Sequence, residues 1–305
     1  MDSRRRLPQT TEPSDEGLPV AGEAASPYFS TSRSTPTTAP APPPEPQEVA
    51  RGVVVFDVDG TLLDDLRWIS DVAGDVMHRA FGTPPDEGRV HYLATTGLPF
   101  EAQLAQLYPE APRALREGTA RIFHQRKVTE AYAHAEPFPD VPKMLHRLST
   151  EGWTLVVSTG AETEMAELLL EREGLRFWFE SVLGSRDGTK REHLIEYRRR
   201  YPNARMFLVG DSRFDMEAVQ AVPGVTALGR ASSFLGWTLT PEDLCKWGAA
   251  WADYSLAELP EVLVRWERRT PPAAPLGPPA ARKRARRTSR PGRTQRASTP
   301  RQRRR

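Results

Sequence analysis

Val53-Val54-Val55-Phe56 is an unbroken apolar run, and it stops at Asp57-Val58-Asp59-Gly60-Thr61. A strand with one wet face alternates apolar and polar residues, whereas an unbroken run is buried on both faces, as in a parallel sheet covered by helices. The pattern recurs along the chain. Residues 153–157 end at Ser158-Thr159-Gly160, a short run spans Ser181–Leu183, and residues 206–209 lead into Gly210-Asp211-Ser212. Residues 225–228 give a fifth strand, and residues 252–255 suit a last edge strand. Between the first two runs lies a helix with Asp140 as its expected N-cap, Pro142 in its first turn, and Val141, Met144, Leu145 and Leu148 on one face.

Residues 65–136 break this alternation. Leu66, Ile69, Val72, Ala73, Val76, Met77 and Ala80 share one helical face, and helix-like segments follow at Phe100–Leu107 and 115–132 with no strand between them. The expected architecture is therefore α/β: a Rossmann-like parallel sheet core with helices on both faces, formed by residues 51–64 and 137–265. An all-helical domain is inserted at 65–136, over the carboxyl edge of the sheet.

Of 29 prolines, most lie near the two ends. Residues 1–50 are rich in Pro, Ser and Thr, and residues 268–305 carry 14 Lys or Arg with no Asp or Glu. Neither stretch holds enough apolar surface to offset its ordering entropy, so both tails are expected to be disordered. The formal charge of +2 divides into −3 for residues 1–50, −9 for 51–267 and +14 for the tail. The tail suits non-specific contact with a polyanion such as nucleic acid or polyphosphate, and its lack of aromatic residues argues against base stacking. A single cysteine, Cys245, excludes an internal disulfide and a cysteine zinc cluster. With no signal-peptide pattern and no 18-residue apolar stretch, the expectation is a cytoplasmic protein without a transmembrane segment.

Ligands of open parallel sheets bind beyond the carboxyl ends of the strands. Asp57 and Asp59 from the first strand and Asp211 and Asp215 from the fourth would meet there, with Ser158 from the second. Four converging carboxylates repel one another, and a hard divalent cation such as Mg²⁺ relieves that repulsion while leaving sites for phosphate oxygens. Lys190, at the start of the pattern Leu194, Ile195, Tyr197, supplies a further cation. Two carboxylates two residues apart can divide labour. Asp57 attacks phosphorus, and Asp59 protonates the leaving oxygen and then activates water. By itself an Asp-x-Asp-Gly turn also fits a surface loop or part of a calcium loop.

Phe56-Asp57-Val58-Asp59-Gly60-Thr61-Leu62 resembles the first motif of the haloacid dehalogenase-like superfamily. Ser158 is similar to its second, Lys190 to its third, and Gly210-Asp211-Ser212-Arg213-Phe214-Asp215 to its fourth. The resemblance covers residues 52–263, and the helical insertion resembles the cap of phosphoglycolate-phosphatase-like members. It implies a magnesium-dependent phosphatase acting on a small phosphorylated metabolite through an aspartyl-phosphate. Asp57 would be nucleophile and metal ligand, Asp59 acid/base with its carbonyl on the metal, Asp211 a metal ligand and Asp215 its support. Thr61, Ser158 and Lys190 would hold phosphate, and Thr95, Thr96 and Gly97 would form the cap loop facing the substrate. The sequence departs from the family pattern at Thr159, where Asn is frequent, and at Arg191, where Pro is common. Asp59 disfavours halide removal. A phosphomutase, or a non-catalytic adaptor that binds phosphate or nucleic acid through the basic tail, remains the alternative.

The six histidines form no metal-ligand set by spacing and read as surface or core residues. Arg198-Arg199-Arg200 reads as a solvated helix end, and Trp237, Trp247 and Trp251 as an apolar packing face.

Overall fold

The computed structural model describes residues 51–234 and 236–269, so both terminal segments lie outside the described residues. The core strands are β1 (Gly52–Phe56), β2 (Trp153–Ser158), β3 (Ser181–Leu183), β4 (Arg205–Gly210), β5 (Val225–Arg230) and β8 (Ala252–Asp253). They form one parallel sheet in the order β3-β2-β1-β4-β5-β8. A separate hairpin pairs β6 (Ser232–Phe234) with β7 (Trp237–Leu239), and its three-residue arms are too short to leave a periodic signal. The edge strand is shorter than expected. After Asp253 the chain turns toward Asp140, whose carboxylate accepts hydrogen bonds from Ser255 Oγ and the Leu256 amide.

Chain order reverses at β1 and β4, since the chain leaves β1 for β2 and β3 on one side and returns to β4 on the other. Such a reversal opens a crevice at the carboxyl ends of the two central strands. Register sets what lines it: Phe56 pairs with both Val157 and Val209, so Asp57, Ser158 and Gly210 lie side by side at the strand ends.

Alternate residues of the strands feed two buried layers. Val54, Phe56, Leu155, Val157, Phe207 and Val209 pack with α5 (Val141–Thr150), α6 (Thr163–Arg172) and α10 (Leu259–Arg269). Val53, Val55, Val156, Met206 and Leu208 pack with α7 (Lys190–Arg200), α8 (Arg213–Gln220) and α9 (Pro241–Lys246). In α5 the residues at 3-4 spacing, Val141, Met144, Leu145 and Leu148, are all buried. Each such side chain contributes about 1.5–3 kcal/mol against the unfolded chain.

Asp140 does not cap α5. Its side chain makes no capping bond and instead accepts from Arg230 Nη2 at 2.9 and 2.8 Å. Arg230 is buried and stacked on Phe138, and a buried guanidinium takes a carboxylate in preference to leaving it to a helix end. The arginine run of α7 differs from expectation in a similar way. Arg198 is buried and donates to the carbonyls of Ala204 and Pro202, while Arg200 pairs with Glu196 in the adjacent turn.

The insertion between β1 and β2 contains α1 (Leu66–Phe81), α2 (Pro85–Ala94), α3 (Phe100–Leu107) and α4 (Arg113–Arg126). The sequence pattern did not reveal α2, which buries only Gly88, Tyr92 and Leu93 and so lacks a clear apolar stripe. A π-helical turn over Lys127–Ala131 and a 3₁₀ turn over Tyr132–His134 lead back to the core. Entry and return run side by side: Asp64 N donates to Glu136 O, Phe138 N donates to Leu62 O, and Leu63 bridges Pro137.

Candidate active site

At the end of β1 the Asp57 amide still donates to Val209 O at 3.0 Å, so the backbone leaves the sheet only after this residue. Its Oδ1 accepts from Val58 N at 2.8 Å and its Oδ2 from Lys190 Nζ at 2.5 Å. The turn that follows needs a glycine twice over. Gly60 has φ +71°, and a Cβ there would lie 2.6 Å from Asp211 Oδ2.

Beyond β4, Ser212 caps α8 in a reciprocal box. Asp215 N donates to Ser212 Oγ, and Asp215 Oδ2 accepts from Ser212 N at 3.0 Å. This fixes Asp215, whose Oδ1 accepts from Lys190. Lys190 sits in the first turn of α7, where the helix dipole disfavours a cation. Burial lowers its proton affinity, but Asp215 and Asp57 outweigh that and raise it above the ordinary lysine value.

Carboxylate oxygens of Asp57, Asp211 and Asp215 lie within 4.8 Å of one another, all buried. Burial, opposed by Lys190 and reinforced by Asp215, pushes Asp57 up to about 7. Burial, then Asp57 and Asp215, holds Asp211 well above the carboxylate range. Asp211 Oδ2 is buried without a hydrogen-bond partner. A crowded set of hard oxygen donors with one bare oxygen fits a divalent cation such as Mg²⁺.

Asp59 stands apart from this trio. Its Oδ2 accepts from Lys127 Nζ at 2.5 Å and from the Tyr132 hydroxyl at 3.4 Å. Burial would raise Asp59, but Lys127, Asp65 and Tyr132 together hold it below the ordinary carboxylate range. Asp65, which accepts from Gly60 N at 3.0 Å, is pushed well above that range by burial and then by the charge of Asp59.

The other expected residues divide into two groups. Thr96 and Gly97 line a cavity of about 60 Å³ together with Asp57, Asp59 and Lys190, and the helical insertion contributes Lys127. Gly97 has φ +93°, and a Cβ there would lie 2.5 Å from Ser212 Oγ, so the loop touches the fourth strand's carboxyl end directly. Thr95 turns away, its hydroxyl oxygen 2.7 Å from His91 O and 2.9 Å from Gln103 Oε1 with one proton to offer them, and Gln103 donates on to Leu98 O. Thr61 is buried and donates to Asp211 Oδ1 at 3.3 Å. Ser158 is fully buried, and its Oγ lies 2.9 Å from Nδ1 of His193.

Lys127, Asp65, Tyr132 and His193 escaped the sequence reading. For Lys127 a signal existed. Ala120, Phe123, Lys127 and Ala131 are buried at helical spacing, and a lysine on an apolar face is anomalous.

The model of the haloacid dehalogenase-like hydrolases matches residues 54–228. Among curated relatives, "Probable phosphatase IndB" of Dickeya dadantii is 32% identical over 139 residues, covering 44% of this chain and 58% of that protein. The phosphoglycolate phosphatase of Vibrio vulnificus is 26% identical over 181 residues, covering 55% of this chain and 78% of the relative. The fold matches a haloacid dehalogenase-like hydrolase from Bacteroides fragilis with TM-score 0.60 at 21% identity, over 68% of this chain and 99% of that one. A hydrolase from Pseudomonas syringae matches with TM-score 0.58 at 19% identity, over 70% and 98%. Since the matched stretch runs from β1 to β5 and takes in the carboxylates at the ends of both central strands, this chain belongs to the haloacid dehalogenase-like hydrolase family.

Proposed function

We propose that the protein is a magnesium-dependent phosphatase that hydrolyses a small phosphate monoester through an aspartyl-phosphate on Asp57. The observation that carries this reading is the buried trio of Asp57, Asp211 and Asp215, with Lys190 bonded to Asp57 and Asp215 and with Asp57, Lys190 and Asp59 lining one cavity. The phosphatase names of the relatives support it.

Asp57, Asp211 and the Asp59 carbonyl would hold Mg²⁺, with Asp215 in support. When bound, the ion offsets carboxylate charge and draws electron density from the phosphoryl oxygens. Asp57 then attacks phosphorus and the ester bond breaks. Asp59, once it has taken a proton, gives it to the leaving oxygen, and as a carboxylate it removes a proton from the water that cleaves the aspartyl-phosphate. Lys190 holds Asp57 in place and offsets charge on the phosphoryl oxygens, with Thr61 and Ser158 as further phosphate contacts. Residues 65–136 act as a cap, with Thr96 and Gly97 in the loop facing the leaving group and Thr95 bracing it. No described helix is long and apolar enough to cross a membrane, in keeping with a cytoplasmic setting.

The test is magnesium-dependent release of phosphate from p-nitrophenyl phosphate and from a panel of phosphorylated metabolites. Turnover by the wild type and its loss in Asp57→Asn are expected; wild-type inactivity across the panel would sink the reading.

A further inference from the structure

His193, on α7, is almost completely buried, and both of its ring nitrogens face oxygen atoms. Nε2 lies 3.0 Å from the carbonyl oxygen of Gly184, and Nδ1 lies 2.9 Å from Oγ of Ser158. A carbonyl oxygen can only accept, so Nε2 carries a hydrogen in either protonation state of the ring. In the neutral ring Nδ1 is therefore a bare lone pair, and the hydrogen that satisfies it is the hydroxyl proton of Ser158.

This has a consequence for phosphate. Ser158 follows Val157 as Asp57 follows Phe56, and Val157 and Phe56 are paired in register, so Ser158 is the lateral neighbour of the nucleophile. Phosphoryl oxygens are acceptors and require donors. A serine hydroxyl has one proton, and while His193 is neutral that proton is committed to the imidazole. A second proton on the ring reverses the bond. Nδ1–H then donates to Oγ, and the hydroxyl proton is released to point elsewhere.

We infer that His193 is a positioning residue for Ser158, neutral in the empty site, where it retains the hydroxyl proton, and protonated when phosphate binds, where it frees that proton for a phosphoryl oxygen. The inference rests on the phosphatase reading and on Ser158 as a phosphate contact. The balance is simple: one proton enters from solvent to Nδ1, and no covalent bond to phosphorus changes.

The surroundings suit a ring that changes state. Burial holds the imidazole below its ordinary range, helped by the charge of Lys190, and the Gly184 carbonyl, Asp187 and Glu192 oppose that shift. Lys190 and Glu192 come from α7, Asp187 from the connection before it, and β2 presents Ser158. An arriving phosphate dianion adds negative charge to this set and favours the imidazolium.

Two measurements test the inference on the full chain. Nitrogen-15 NMR of the wild type without phosphate should show His193 as the Nε2–H tautomer with Nδ1 unprotonated; finding Nδ1–H overturns the inference without any variant. Calorimetry with Mg²⁺ and inorganic phosphate, in buffers of different ionisation heat near pH 7, should show the wild type taking up about half a proton or more beyond His193→Asn. An asparagine amide can turn its N–H to Ser158 without acquiring a proton. Ionisation of phosphate itself is common to both proteins and cancels in the difference. In a Ser158→Ala background only the charge of the phosphate acts on the ring, so the difference made by the substitution at 193 should shrink. Equal uptake in wild type and His193→Asn, or a difference that survives undiminished in Ser158→Ala, overturns the inference. Failure of the phosphatase reading looks different, as absence of turnover on every phosphomonoester.

Discussion

Lys127, carried by the helical insertion, places its Nζ 2.5 Å from Oδ2 of Asp59, at the carboxyl edge of the sheet. The ammonium also lies 4.9 Å from the centre of the Tyr132 ring, whose hydroxyl reaches the same carboxylate oxygen. The residue proposed as acid and base is thus oriented by side chains that belong to the insertion and not to the sheet.

Lys127→Met keeps the length of the stem and removes the charge. A charge-assisted hydrogen bond of about 1.5–3 kcal/mol is lost, so kcat/KM should fall about 10- to 100-fold. Steady-state kinetics decides this, and an unchanged kcat/KM would show that Asp59 is positioned by the sheet alone.

Asp59→Ala separates the two chemical steps. p-Nitrophenolate leaves without needing a proton, so attack by Asp57 continues while hydrolysis of the aspartyl-phosphate stalls. Rapid-mixing absorbance should show a burst approaching one equivalent followed by turnover slower by several powers of ten. A steady trace at near-normal rate contradicts the role given to Asp59.

Metal binding should appear as stability. At a Mg²⁺ concentration a hundred times its dissociation constant, about 2.7 kcal/mol is added to the folded state, raising Tm by about 5–10 °C for a domain of this size. Asp211→Asn should lose most of that rise. An equal rise in variant and wild type places the ion elsewhere.

Gly97→Ala asks whether the loop must touch Ser212. The positive φ costs an alanine about 1 kcal/mol, and its Cβ would meet Ser212 Oγ at 2.5 Å, so the loop has to retreat. A fall of about tenfold in kcat/KM with little change in Tm is expected, and full activity would show that this contact is dispensable.

Acid should weaken the Arg230–Asp140 pair. Burial raises Asp140, but Arg230, Ser255 and the Leu256 amide overcome it and leave the carboxyl below its ordinary range. A depressed carboxyl gives stability that is fully present above its unfolded value near 3.9 and is lost as pH falls through the folded value. Chemical denaturation from about pH 6 to pH 3 should show this loss in the wild type and not in Asp140→Asn. At neutral pH that variant should be less stable by about 3 kcal/mol, the scale of breaking a buried pair.

What could be read from the sequence was what short-range pattern encodes. Unbroken apolar runs located β1, β2 and β4 to within a residue or two, and the carboxylates that end β1 and follow β4 pointed to the crevice that the structure forms. Long-range pairings left no such trace. Asp140 looks like an N-cap in its local context, and only the return of β5 brings Arg230 to it. His193 had no partner at metal-ligand spacing, and its actual partner, Ser158, lies 35 residues away. Local chemistry was visible, and choices among partners across the fold were not.

The side-by-side crossing of the two linkers, with Leu63 bridged to Pro137, alters the effective length of the chain for the core. Measured along the backbone, β1 and β2 are joined by a very long connection. With the bridge formed, the stretch that separates the two strands counts as a short detour, and the entropy of closing a loop falls with the logarithm of its length. For the central strands the chain is then effectively shorter than its residue count.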